Sequence, residues 1–159
     1  MIDRKELLRD VHLAFAGVER VSDARMFEPE QDYLWVEALR DGTGPWSEVP
    51  ASAISLEYHA LTAVTPEGFR FFLPAYMCWV LTNAPSDSNA IDHTIYALDL
   101  SVRDAATTLR MRERFSSLSS LQRIVVTGFL TRASGKPESI DAPVAERALA
   151  SYWGTYEGT

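Results

Sequence analysis

One cysteine, three histidines and no apolar run near membrane-spanning length are what this 159-residue chain has least of, and each scarcity removes a class of function. Cys78 alone cannot close an internal disulfide, which fits a reducing compartment. His12, His59 and His93 lie dozens of residues apart, with no HExxH, CxxC or calcium-loop spacing, so neither a metal centre nor a cofactor is expected. Apolar stretches fall short of the ~20 residues that cross a bilayer. The opening MIDRKELLRD carries charges where a signal peptide needs its apolar centre, so a cytoplasmic protein without a membrane partner is expected. There is no GxSxG elbow, and Ser134-Gly135-Lys136 lacks the rest of a P-loop and reads as a turn between helices. No repeat of about 20–50 residues points to a solenoid.

What is present is a globular composition. With 47% hydrophobic and 11% aromatic residues the chain is too apolar for disorder. Its length suits one domain, residues 1–159, that buries roughly 70% of its extended-chain surface. The net charge of -7 is unevenly laid out: residues 19–102 hold 13 acidic and 4 basic side chains, residues 103–136 hold 7 basic and 2 acidic. Opposite signs help two halves pack. The functional alternative is a basic patch around Arg103, Arg110, Arg112, Arg114, Arg123 and Arg132 that receives an acidic partner or phosphates. Nucleic acid is disfavoured, because the surrounding field is acidic and no stacking or groove-reading motif accompanies the patch.

Periodicity predicts a mainly α fold, a helical array of about six helices around a loop-rich centre. Asp3 and Glu6 resemble a capping box before Leu7, Leu8, Val11, Ala14, Phe15 and Val18, with Gly17 at the exit. A second helix is predicted from Pro29 to Arg40, burying Leu34, Trp35, Ala38 and Leu39 and stopping at Asp41-Gly42. Residues 43–50 form a loop by composition, with Trp46 folded back onto the core as a clamp. Residues 51–64 fit either period, and Ala51, Ala53 and Ala60 favour a helix ending near His59 or Leu61. Thr65-Pro66-Glu67-Gly68 fits a turn, residues 69–73 an extended piece with three phenylalanines, and Pro74 the first position of a helix reaching Thr82.

Residues 94–98 could form a strand, but only 69–73 could pair with it, so an irregular or helical state is preferred over a short strand pair. A helix over 103–115 is anchored by Leu109 and Phe115. Ser119 and Gln122 open the next, whose apolar face is Leu121, Ile124, Val125, Phe129 and Leu130. Asp141 can cap a last helix with Ala145, Ala148, Leu149, Tyr152 and Tyr156 on one face, Trp153 beside them, and Gly158 at its end.

An N-terminal helix ending in an aromatic-Gly pattern precedes an acidic middle with a Trp before Val-Pro, then LTAVTPEGFRFFLPAYM over 61–77 and RFSSLSSLQR over 114–123 before Phe129-Leu130. This order resembles a family of small bacterial proteins with no established activity, over roughly residues 3–132. The resemblance implies a compact intracellular domain and supplies no catalytic residues. Some similar small proteins sit beside toxins as regulators or immunity partners, which is an analogy of size and genomic setting.

Cys78, between Met77 and Trp79, reads as a core residue and not as a nucleophile, which would need access and a lowered pKa; a pairing with His59 in three dimensions is the alternative. Glu57, Glu67, Asp92 and Asp99 could supply paired carboxylates, but their number favours solvated surface. No complete reaction constellation results, so a noncatalytic protein-binding or regulatory role is preferred, and activity as an enzyme is not. Its candidate contacts are Trp46 and Glu48, Arg70 beside the phenylalanines, and Arg110, Arg112, Arg114 and Arg123. The alternative is an enzyme or small-molecule sensor with Glu57, His59, Glu67 and Arg70 around one pocket. A third reading makes the helix from Asp141 a homodimer contact.

Overall fold

In the computed structural model, residues 2–29, 36–84, 88–101, 103–135 and 141–154 are described. Among them the chain forms α1 (Arg4–Ala14), α2 (Asp23–Met26), α3 (Ala51–Leu56), α4 (Pro66–Asn83), α5 (Asn89–Tyr96), α6 (Ala105–Ser116), α7 (Ser120–Ser134) and α8 (Ala142–Ala148). No sheet appears among the described residues; Phe27 and Val64 make an isolated antiparallel bridge.

The architecture is organised around α4, which touches α1, α2, α3, α5, α6 and the 3-10 turn Trp46–Glu48. The apolar run that reads as turn, extended piece and helix start is one continuous helix. Thr65 caps it, its hydroxyl accepting from the Gly68 N–H at 3.1 Å, and Pro66 takes the first helical position predicted for Pro74. Pro74 lies inside the helix and has no N–H to give the carbonyl of Arg70, four residues earlier. Packing outweighs that loss. Phe69, Phe71, Phe72, Leu73, Tyr76 and Met77 are all fully buried, so α4 is apolar around its circumference, and each large ring taken from water contributes about 2 kcal/mol. The three clustered phenylalanines therefore reflect burial on several sides of a helix, a pattern that short windows do not distinguish from a strand.

Gly68 is also reassigned. It is not a turn glycine: a Cβ there would lie 2.0 Å from the Met26 carbonyl oxygen, so its role is to let α4 approach the end of α2. The same seam is closed by Thr65 N–H donating to Met26 at 2.9 Å and Glu28 N–H donating to Ala63 at 3.1 Å.

Elsewhere the capping box at Ser119 and Gln122 forms as predicted, and α3 covers the helical part of 51–64, ending at Leu56 with a 3-10 turn at Ala60–Thr62. Residues 94–96 are helical, within α5, so the candidate strand pair does not form. Of the helix predicted over 29–40, residues 37–39 form a single 3-10 turn, while Leu34 and Trp35 lie outside the described residues. Leu109, Leu121 and Ile124 are exposed, against their predicted roles as anchor and apolar face, because α6 buries Met111, Arg114 and Phe115 and α7 buries Val125 to Leu130. Asp141 stands at the start of α8 without a side-chain capping bond. That helix runs on through a π-turn, Leu149–Trp153, to Gly154 at φ 75; Tyr156 and Gly158 lie outside the described residues. No helix among the described residues is long and apolar enough to cross a membrane.

Candidate functional site

The first turns of α4 carry the charged groups that meet in space. Glu67 receives both Arg25 Nη2 at 2.6 Å and Arg25 Nε at 3.3 Å, a two-pronged ion pair between α2 and α4 that no sequence spacing announces. One turn later Arg70 lines the same cleft, of about 430 Å³, between the end of α1, the following loop, α2, α4 and the start of α7. Glu19, Val18 and Val21 also line it, and Gln122 is held in place, donating to the Ala14 carbonyl at 3.1 Å while accepting from Ser119 N–H at 2.9 Å. Arg70 Nε is buried and has no hydrogen-bond partner.

Of the four residues expected around one pocket, only Glu67 and Arg70 share this cleft. Glu57 and His59 belong to a separate cluster between α3, α4 and α5. Tyr76 donates its hydroxyl to the Glu57 carbonyl at 2.6 Å, and Glu57 Oε2 is buried without a partner. Burial, then the neighbouring Glu37 charge, pushes the Glu57 carboxyl above its ordinary range. The His59 ring meets His93 edge-on, centroids 4.1 Å apart, and Tyr58 packs on both at 4.1 and 4.9 Å. Desolvation lowers both histidines; the His93 charge lowers His59 further, while Asp92 partly offsets the effect on His93. This pairing of histidines 34 residues apart is a tertiary event without a sequence signal. Among the described residues no three His, Cys, Asp or Glu side chains could hold a metal ion together.

The predicted protein-contact residues divide by burial. Trp46 is 4% exposed and donates its indole N–H to the Phe15 carbonyl at 2.9 Å, so it is the expected clamp and not a surface contact; Glu48, in the same turn, is exposed. Arg114 is 5% exposed, with Nε on the Val64 carbonyl at 2.8 Å and Nη2 on the Thr62 carbonyl at 3.1 Å, and therefore holds α6 to the segment before α4. Arg103 and Arg132 likewise serve the chain's own carbonyls, at Asp99, Tyr96 and Ile2. Arg110, Arg112 and Arg123 remain exposed, with Arg112 5.9 Å from the Tyr152 ring centroid. The basic patch thus separates into internal staples and a solvent face.

The carboxylates and Cys78 follow the same division. Asp99 is buried and satisfied by the Ser101 N–H and hydroxyl, with Arg147 at 3.5 Å. Cys78 is half-buried and its thiol is pushed up to about 12 by desolvation, opposite to what a thiolate nucleophile needs. The histidine lining a groove with it is His12, which packs on Trp46 at 4.9 Å; His59 is occupied with Tyr58 and His93.

No curated protein and no solved structure matches the chain. A family model does, over residues 3–157, which takes in the α4 segment, the capping box and also α8. The protein belongs to the family of unknown function DUF6714.

Proposed function

We propose that this chain is a noncatalytic binding protein of the bacterial cytoplasm, of regulatory or immunity type, that engages an acidic protein partner through α6 and the first turn of α7. The carrying observation is the company kept by exposed aliphatics there: Leu109, Leu121 and Ile124 are 61%, 56% and 43% exposed, alongside exposed Arg110, Arg112 and Arg123. Single exposed leucines are ordinary, but Leu121 and Ile124 share one helix face beside arginine, the residue type that anchors interfaces. The single cysteine, which cannot form an internal disulfide, fits a reducing compartment.

The test is charge reversal at Arg110, Arg112 and Arg123 together, with retention of partners from native lysate compared between wild type and variant. One acidic protein retained stoichiometrically by the wild type and lost by a variant of unchanged melting temperature is expected. The absence of a reproducible partner, or equal retention by both, refutes the reading.

A further inference from the structure

We infer that the cavity between the end of α4, α5 and the second half of α7 is a binding site for a small uncharged molecule built on a single hydrocarbon ring, distinct from the α6–α7 face. Three helices supply its walls, each with two apolar residues four apart and therefore on one helix face: Val80 and Ala84 at the end of α4, Ile91 and Ile95 in α5, Phe129 and Ala133 in α7. Val80, Ile91, Ile95 and Phe129 are each 5% exposed or less, so these walls are part of the packed core. The space between them exists because the α4 and α7 pairs end in alanine, whose side chain stops at Cβ where a longer one would fill it.

Size and lining select the occupant. The cavity measures about 190 Å³. An apolar protein cavity of roughly 150 Å³ takes up benzene, whereas pockets for drug-sized ligands start at about 300 Å³, so one ring with a short substituent fits and a nucleotide does not. Water along these six apolar side chains finds few polar partners, and its displacement by a ring is favourable. The charged residues of the lining are Arg4, Arg132 and Asp141, of both signs, and Arg132 already donates through Nη1 to the Ile2 carbonyl at 2.6 Å. An ion entering here gives up its hydration to a wall that is mostly hydrocarbon, which disfavours a carboxylate or an ammonium on the ring.

The experiment titrates the full chain with toluene, benzoate and benzylamine, which share a ring and differ in charge, and follows methyl chemical shifts together with the melting temperature. Saturable shifts at the Val80, Ile91 and Ile95 methyls are expected for toluene with a Kd of about 1 mM or below, with benzoate and benzylamine weaker by about tenfold. Toluene at several times its Kd should raise Tm by about 2 °C. Ala133→Phe, which fills the cavity from a partly buried position, should weaken toluene by about tenfold or more without lowering Tm. If that variant fails to fold, Ala84→Leu is judged by the same loss. No saturable toluene response, shifts centred on other residues, benzoate or benzylamine binding at least as tightly, or a folded filled variant that binds like wild type overturns the inference.

Discussion

Arg114 packs against the segment before α4 and Arg70 lies within α4, and the contrast between their surroundings separates the structural seam of this molecule from its open cleft. At the seam Arg114 is buried with Nε and Nη2 on carbonyls of the segment before α4, Gly68 admits the Met26 carbonyl, and Thr65 bonds to both its own helix and the end of α2. A few ångströms of helix away, Arg70 is partly exposed and its buried Nε is unanswered. A charge whose donors are taken up by backbone belongs to the architecture. Arg70 instead leaves one enclosed donor that the fold does not satisfy.

The comparison can be broken most forcefully at Gly68. Gly68→Ala drives a methyl group into the Met26 carbonyl and should cost about 3 kcal/mol, read as a lowered urea midpoint with an unchanged slope. Arg114→Met keeps the aliphatic stem but abandons the Val64 and Thr62 carbonyls, and should cost about 2 kcal/mol by the same measurement. A loss under about 0.5 kcal/mol for either would mean that the seam does not hold α2, α4 and α6 together.

A smaller effect is expected from pH, through a cluster belonging to neither region. His59 and His93 have lowered folded pKa values, so the unfolded chain binds more protons as pH falls below about 6.5 and stability is lost in that direction. Glu57, with a raised folded pKa, acts in the opposite sense at lower pH. Thermal melts between about pH 7 and pH 5.5 should show His93→Asn losing less stability than wild type, by about 2 °C in Tm after allowance for the partial exposure of both rings. Equal losses would show that the histidine pair is not coupled to folding. The least change is expected at the cleft: Arg70→Gln should leave stability within about 0.5 kcal/mol of wild type, because no contact within the chain is given up at its Nε. A large loss there would make Arg70 a second staple and erase the contrast.

Legibility in the sequence followed the range of the interactions. The Ser119–Gln122 capping box and the α1 start at Asp3 were readable because both are fixed by side chains reaching three residues along the chain. The α4 start was misplaced by eight residues: two prolines each fit a first helical position locally, and only burial around the whole helix decides that Pro66 fills it while Pro74 is tolerated inside. Arg70 and Glu67 were identifiable as candidates, but not their separation from Glu57 and His59, nor the Arg25 partner 42 residues from Glu67.

The sequence by itself determined a mainly helical chain, where many of its helices begin, and which charges are too numerous in one segment to all serve the core; propensity, capping and composition act over a few residues and need no partner. Only the tertiary structure decided which of those arginines are spent on the chain's own carbonyls and which glycine marks a close approach. The same holds for the pairing of His59 with His93 and for the lone donor of Arg70. The physical reason is that hydrogen-bond satisfaction and desolvation depend on neighbours brought from distant parts of the chain, and those neighbours exist only once α4 is enclosed.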